Sequence, residues 1–439
     1  MQLDSRPALN GNPAAGRIFF YFGSLTLLIY LSTPSGYLVD IATSFMLKDR
    51  LHATASQVSM FRLLTAIPAY VAFAFGLMRD MWSPFGLRDR GYFLCFAPVA
   101  GVAFLWLAFS RLSYGNIFVG TLLVMLSFRF VSAAYQALIA LIGQEKLMTG
   151  RLSTLWNLVA YVPAAGAAFA SGWVAEHLQP KQTFVLMAIL TFSIALLSFW
   201  KPSAVFGNAY QAAQSHGGGF MADVKRLVKH RAVYPAVLIM FLWNFSPGSA
   251  TPLQFYLTNQ LHASDSAFSN YNGVFVVSFI PTLLLYGYLC KRVSLRKLLW
   301  WGTIAAIPQM VPLAFIHSAA LAQILAAPIG LMGGVATAAY FDLAMRSCPA
   351  GLQGTLMMMV DGVYILSARG GDVLGARIYL SNPAHGFLYC VIATTGIYAL
   401  ILPLILLIPK ALIATADGES AEASGARALD RISEPELAS

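Results

Sequence analysis

Long apolar runs separated by short polar stretches fill the chain from residue 18 to residue 409. Twelve are long enough to cross a bilayer, which takes about 20 apolar residues. They cover 18–47, 55–79, 91–110, 115–143, 152–176, 182–200, 233–259, 268–290, 296–316, 320–346, 352–377 and 385–409. No strand is predicted, so the expected fold class is an all-α membrane protein with twelve transmembrane helices.

A second pattern is superimposed on the first. The stretch "FMLKDRLHATASQVS", residues 45–59, returns as "FYLTNQLHASDSAFS", residues 255–269, identical at seven of fifteen positions. The first copy joins predicted spans 1 and 2, and the second joins spans 7 and 8. Thr54 and Ser56, like Ser264 and Ser266, stand where the next helix needs an N-cap. The loop is written twice because a six-helix unit is written twice. The expected organisation is an N-terminal bundle over 17–200, a linker over 201–232, and a C-terminal bundle over 233–412. Tails over 1–16 and 413–439 are poor in apolar residues and predicted to be disordered. Within the linker, Phe220, Met221, Val224, Leu227 and Val228 recur at helical spacing opposite basic residues, as in a helix lying on a membrane surface.

Composition agrees with lipid as solvent. Of 439 residues 58% are hydrophobic and 10% charged, against roughly a quarter charged in soluble domains. The net charge of +10 does not indicate nucleic acid, because the cations sort by side. With both termini inside, twenty Lys and Arg fall in cytoplasmic segments and five in outer loops, the positive-inside bias. No secretory signal is recognisable. Cys95, Cys290, Cys348 and Cys390 have no metal-ligand spacing, and no H-x-x-x-H pair occurs. No metal or cofactor is expected. The expected partners are a small solute and the bilayer, with a monomer as the working state.

Ionisable residues inside a span are costly unless paired or wetted, which makes them functional candidates. Six qualify: Asp40, Arg62, Arg129, Asp361, Arg369 and Asp372. Arg129, Ser132 and Gln136 share one helical face, as do Asp361 and Asp372, with Tyr364 between them. Such stripes need a polar cavity to face. Arg129 and Arg369 are expected to neutralise an anionic solute, and Asp40, Arg62, Asp361 and Asp372 to form charge pairs or carry protons. Tyr37, Tyr135, Trp156, Trp243 and Tyr364 offer aromatic contacts, and Asn157, Asn244, Gln254 and Asn272 hydrogen bonds. Span 7 is interrupted at Pro247-Gly248 and Pro252, and span 1 at Pro34-Ser35-Gly36, in corresponding parts of the two halves. Paired interruptions point to a transporter's binding site.

The stretch "GLMRDMWSPFGLRDRGYF", 76–93, resembles the helix 2–3 signature of the major facilitator superfamily. The resemblance implies an inner gate built on Gly76, Asp80, Arg88 and Arg90. Leu47-Lys48-Asp49, the Phe85-Gly86-x-Arg88 loop, Phe255-Tyr256-x-Thr258-Asn259, and Cys348-Pro349-x-Gly351-x-x-Gly354-Thr355 further resemble the folate–biopterin transporter family. The chain departs from that family at Gln353, where Glu is usual, and in span 4, where acids are common. The resemblance implies the major facilitator fold, two pseudo-symmetric six-helix bundles, and a folate- or pterin-like solute.

The expected function is secondary active transport of a small anionic organic solute across a bacterial-type inner membrane, by alternating access and with proton coupling. Muropeptide or siderophore permeases are the nearest alternative, and a non-transporting receptor or assembly partner of the same fold is the rival from another class. No enzyme motif and no ATP-binding P-loop is present. The charge bias gives a direct test of topology. Single cysteines at Ser215 and Ser264 should be labelled from opposite faces of the membrane, and labelling from one face would overturn the assignment.

Overall fold

The computed structural model describes residues 13–33, 43, 46–53, 55–177, 179–207, 220–249, 251–262, 265–382 and 384–419. Every regular element among them is helical. The first half carries α1 (Pro13–Ser32), α2 (Ala55–Thr65), α3 (Ile67–Tyr70), α4 (Ala72–Met81), α5 (Asp89–Phe109), α6 (Tyr114–Glu145), α7 (Thr149–His177) and α8 (Pro180–Leu197). After the linker helix α9 (Phe220–Lys229) come α10 (Val233–Asn244), α11 (Thr251–Phe255), α12 (Asp265–Leu289), α13 (Leu295–Ala306), α14 (Ala319–Arg346), α15 (Gln353–Ser381), α16 (Gly386–Ala399), α17 (Ile401–Leu407) and α18 (Lys410–Ile413).

Seven segments among the described residues are long and apolar enough to cross a membrane. They are Ala14–Ser32, Asp89–Phe109, Tyr114–Glu145, Asn270–Leu289, Leu295–Phe315, Ala319–Arg346 and Gly386–Leu407. Other predicted spans are divided, charged or shorter, the last as at Lys181–Leu197 and Val233–Asn244. The span 55–79 is three helices, α2 to α4, broken beside Pro68 where a proline withholds its N–H. The 29 residues of α15 include Asp361, Arg369, Asp372 and Arg377.

The repeated loop folds alike in both copies. Met46–Arg50 and Tyr256–Gln260 are both π-helical turns. Leu51 N donates to the Met46 carbonyl and Leu261 N to the Tyr256 carbonyl, each at 3.1 Å. His52 and His262 then adopt left-handed backbone, with φ 51° and 50°. That conformation costs a non-glycine residue roughly 1–2 kcal/mol. Leu47 and Leu257, buried in both copies, hold the turn against the bundle. Thr54 and Ser264 lie outside the described residues.

Glycines set the close seams. On α4, a Cβ at Gly76 would stand 2.9 Å from the Met358 Cβ and closer still to the Gly354 carbonyl, so α4 and α15 touch backbone to backbone. On α15, Gly371 and Gly375 receive the interrupted segment between α10 and α11, and a Cβ at Gly371 would lie 2.8 Å from Ser246 N. Polar backbone at the interruption bonds inside the protein: Gly248 N donates to Thr394 Oγ1 at 2.9 Å, and Thr251 N to Asp372 Oδ1 at 2.8 Å.

Order also runs past the boundaries drawn from hydropathy. Helix α1 starts at Pro13, and residues 414–419 beyond α18 pack on the end of the bundle that carries the linker. Arg226 of α9 donates to the Ala350 carbonyl at 2.8 Å, tying the linker to that same end.

The Gly375 seam is testable. Gly375→Val would drive its side chain into the Pro247 carbonyl, an overpacking worth about 1–3 kcal/mol, and should lower the melting temperature. Gly396→Ala, with nothing within 4 Å of the new Cβ, should not.

Candidate functional site

Helix α15 begins at the linker end with no cap from its own N-cap residue, Leu352. Its first N–H groups are buried and need acceptors. Asp80, at the end of α4 in the other half, supplies them. Gly354 N donates to Oδ1 at 3.1 Å, and Thr355 N and Oγ1 each donate to Oδ2 at 2.6 Å. Arg79 Nη1 donates to Asp80 Oδ1 at 2.8 Å, while its Nε donates to Asp89 Oδ1 at 2.6 Å. Burial raises the Asp80 carboxyl above its ordinary range, against the pull of Arg79 and the Thr355 bonds.

Neutral groups extend the seal. Gln144 Nε2 donates to the Met345 and Cys348 carbonyls, both at 2.8 Å, and Gln353 Nε2 donates to Gln144 Oε1 at 3.1 Å. The glutamine at 353, a departure from the resembled family, therefore meets an uncharged partner. Ser153 Oγ donates to the Ala338 carbonyl at 2.7 Å.

Two expected gate residues are placed differently. Arg90 donates from Nε to the Ser198 carbonyl at 2.8 Å, within its own half, and is buried beside Phe206. Arg88 shapes the turn, with φ 57° and its N–H on Ser83 Oγ. The cation on Asp80 is Arg79, which the sequence analysis did not single out. Its adjacency to Asp80 was the available signal.

Further into the bundle, Arg129 of α6 reaches across to α15. Its Nη1 donates to Asp361 Oδ2 at 2.8 Å. The two halves are thus joined by an ion pair within predicted spans. The Arg129 side chain is 6% exposed and the Asp361 side chain 27%, so the carboxylate is the accessible partner. Arg129 Nε is buried without a hydrogen-bond acceptor. Ser132 and Gln136, on the same face, are buried and make no hydrogen bond within the described residues.

An aromatic cluster lies within electrostatic reach of this pair through Tyr30. Trp156 Nε1 donates to Tyr30 Oη at 2.7 Å, and Tyr30 lies within electrostatic reach of Arg129, Asp361 and Tyr364. Trp156 also meets Tyr135 edge-on at 5.2 Å and Phe341 of α14 at 5.3 Å. Tyr30 is a site residue that the sequence analysis missed, being one apolar-looking tyrosine among many. On α15, Tyr364 and Ala368 are exposed although they share the face of Asp361.

The remaining candidates scatter. Asp372 accepts the N–H and hydroxyl of Thr251, so it caps α11 and has no cationic partner among the described residues. Asn157 and Asn244 donate to carbonyls one turn back, at Ser153 and Met240. Trp243 packs separately, against Tyr340 and Tyr398. Gln254 is exposed, Asn272 half-buried, and Arg369 exposed with no partner among the described residues. Arg62 is exposed and has an interaction partner. Tyr37 and Asp40 lie outside the described residues. Among the described residues no group of His, Cys, Asp and Glu is placed to hold a metal.

Comparison with known proteins agrees with this geometry. A folate-biopterin transporter of Synechocystis sp. is 24% identical over 391 residues, covering 84% of this chain and 78% of its own. Folate transporter 2 of Plasmodium falciparum is 21% identical over 283 residues, covering 64% of this chain. The match spans 61% of that relative's length. Among solved structures, a proton:xylose symporter superposes with a TM-score of 0.65 at 13% identity, over 94% of this chain and 99% of the symporter, a likeness of fold. The sequence profile of the Major Facilitator Superfamily matches residues 14–368. With that match and this fold, the chain belongs to the Major Facilitator Superfamily and is a multi-pass membrane protein.

Proposed function

We propose that this protein moves a small anionic organic solute by alternating access, coupled to protons, with a folate- or pterin-like compound as the first candidate. The linker end faces the cytoplasm of a bacterial-type inner membrane, with both termini inside. The Arg129–Asp361 pair carries this reading. It joins the two halves, and its Asp361 side chain is partly exposed while its Arg129 side chain is enclosed. Protonating Asp361 neutralises the carboxylate and releases Nη1 of Arg129. A solute carboxylate can then take the guanidinium, which is built for two-pronged contact with a planar anion. Proton and anion bind together, and each favours the state that the other needs. The names of the Synechocystis and Plasmodium relatives support the choice of solute class.

Proteoliposome uptake and thermal shift with folate and biopterin test it. Arg129→Gln should weaken solute binding at least about thirtyfold, since removing one member of a buried charge pair costs 2–5 kcal/mol. Arg129→Lys should restore it only in part. Asp361→Asn should keep binding but lose the response to an imposed pH gradient. If Arg129→Gln binds solute normally and only its apo melting temperature falls, the pair is structural and the proposal fails.

A further inference from the structure

The two halves seal the linker end by the same device, but the second half lacks the residue for it. In the first half, α4 ends in Asp80, whose carboxylate sits on the N-terminus of α15 at Gly354. The repeated loop lies 210 positions apart in the two halves, and the position 210 beyond Asp80 is Cys290, at the end of α12. Cys290 occupies the matching place. A Cβ on Gly150, near the N-terminus of α7, would lie 3.0 Å from the Cys290 Cβ. A cysteine cannot give that N-terminus two charged acceptors.

Asp417 does so from outside the repeat. Its backbone N–H donates to the Cys290 carbonyl at 2.8 Å, which sets it beside the missing acid. Its Oδ1 accepts from Gly150 N at 3.0 Å, and its Oδ2 from Arg151 Nε at 2.6 Å. The Asp417 side chain is fully buried. Burial and the nearby Asp342 raise it to about 6, which leaves it ionised at neutral pH. Gly418, at φ 90°, turns the chain immediately after it.

The segment is anchored in the second half. Arg346 Nη1 donates to the Leu412 and Thr415 carbonyls at 3.3 and 3.0 Å. The same guanidinium pairs with Asp342, which is buried and also accepts from Tyr286 Oη at 2.8 Å. Asp342, near a span end in the sequence, is therefore a fully enclosed member of this network. Residues 414–419 thus belong covalently to one half and close on the other.

We propose that the C-terminal segment is a latch of the linker-end gate, with Asp417 supplying to α7 the acid that Asp80 supplies to α15. The proposal rests on alternating access. Opening this end must break the Asp417 bonds to Gly150 and Arg151, as it must break those of Asp80.

The native Cys348, buried at the seal, reports the state, with the other three cysteines replaced by serine. In inside-out vesicles, Asp417→Ala should speed its alkylation by a membrane-impermeant maleimide about tenfold or more, the scale of one or two charge-assisted hydrogen bonds. A cysteine at Ala368, on the exposed face of α15, should slow in parallel. Deleting residues 414–439 should act like Asp417→Ala should the point variant fold poorly. Placing the acid at the symmetric position, Cys290→Asp, should return the Asp417→Ala rate to within about twofold of the parent. An unchanged Cys348 rate, a joint rise at both ends, or no rescue by Cys290→Asp would each overturn the latch. Asp80→Asn is the control for the underlying reading. If it moves neither probe, alternating access itself is wrong; if it moves both and Asp417→Ala does not, only the latch is.

Discussion

The N-terminus of a helix cannot satisfy its own first N–H groups, and in a protein built almost wholly of helices those ends are where backbone polarity is left over. Here two such ends are buried, at Gly354 and Gly150, and both lie at the seam between the halves. Each takes a carboxylate, Asp80 or Asp417, placed across the seam. A carboxylate there meets both the free N–H groups and the positive end of the helix dipole. Closure is thus held by a few charge-assisted bonds over a backbone contact made possible by Gly76 and Gly354. Such a contact is strong while dry and exchangeable once water enters.

The Arg129–Asp361 pair answers a related constraint deeper in the bundle. A single charge there would be expensive, and two opposite charges from different halves make each other tolerable. The arrangement is asymmetric, because the guanidinium is enclosed and the carboxylate partly open. The accessible member can change protonation or exchange partner, whereas the enclosed one cannot easily leave. The same contact therefore joins the halves.

The duplication explains which features come in pairs and where they diverge. The π-helical turns at 46–50 and 256–260 match in hydrogen bonding and in the left-handed histidine that follows. The ends of α4 and α12 do not match, and Asp80 and Cys290 stand at equivalent places. The lost acid is compensated from the C-terminal segment, which sequence composition had assigned to a disordered tail.

The sequence by itself determined the helical class, the membrane character and the repeated loop. Those properties are written locally, in hydropathy, spacing and turn chemistry. It also singled out Asp80 and Arg129, and the structure gives each a partner in the other half. Only the tertiary structure decided who the partners are. Arg129 meets Asp361 across 232 residues, Gly150 meets Asp417 across 267, and Thr355 meets Asp80 across 275. Arg90 turned back into its own half, Arg79 took the gate, and Asp372 became a helix cap for the same reason. A charge is read from one position, but its energy depends on what another segment brings within about 3 Å of it, and that distance exists only after the halves have packed.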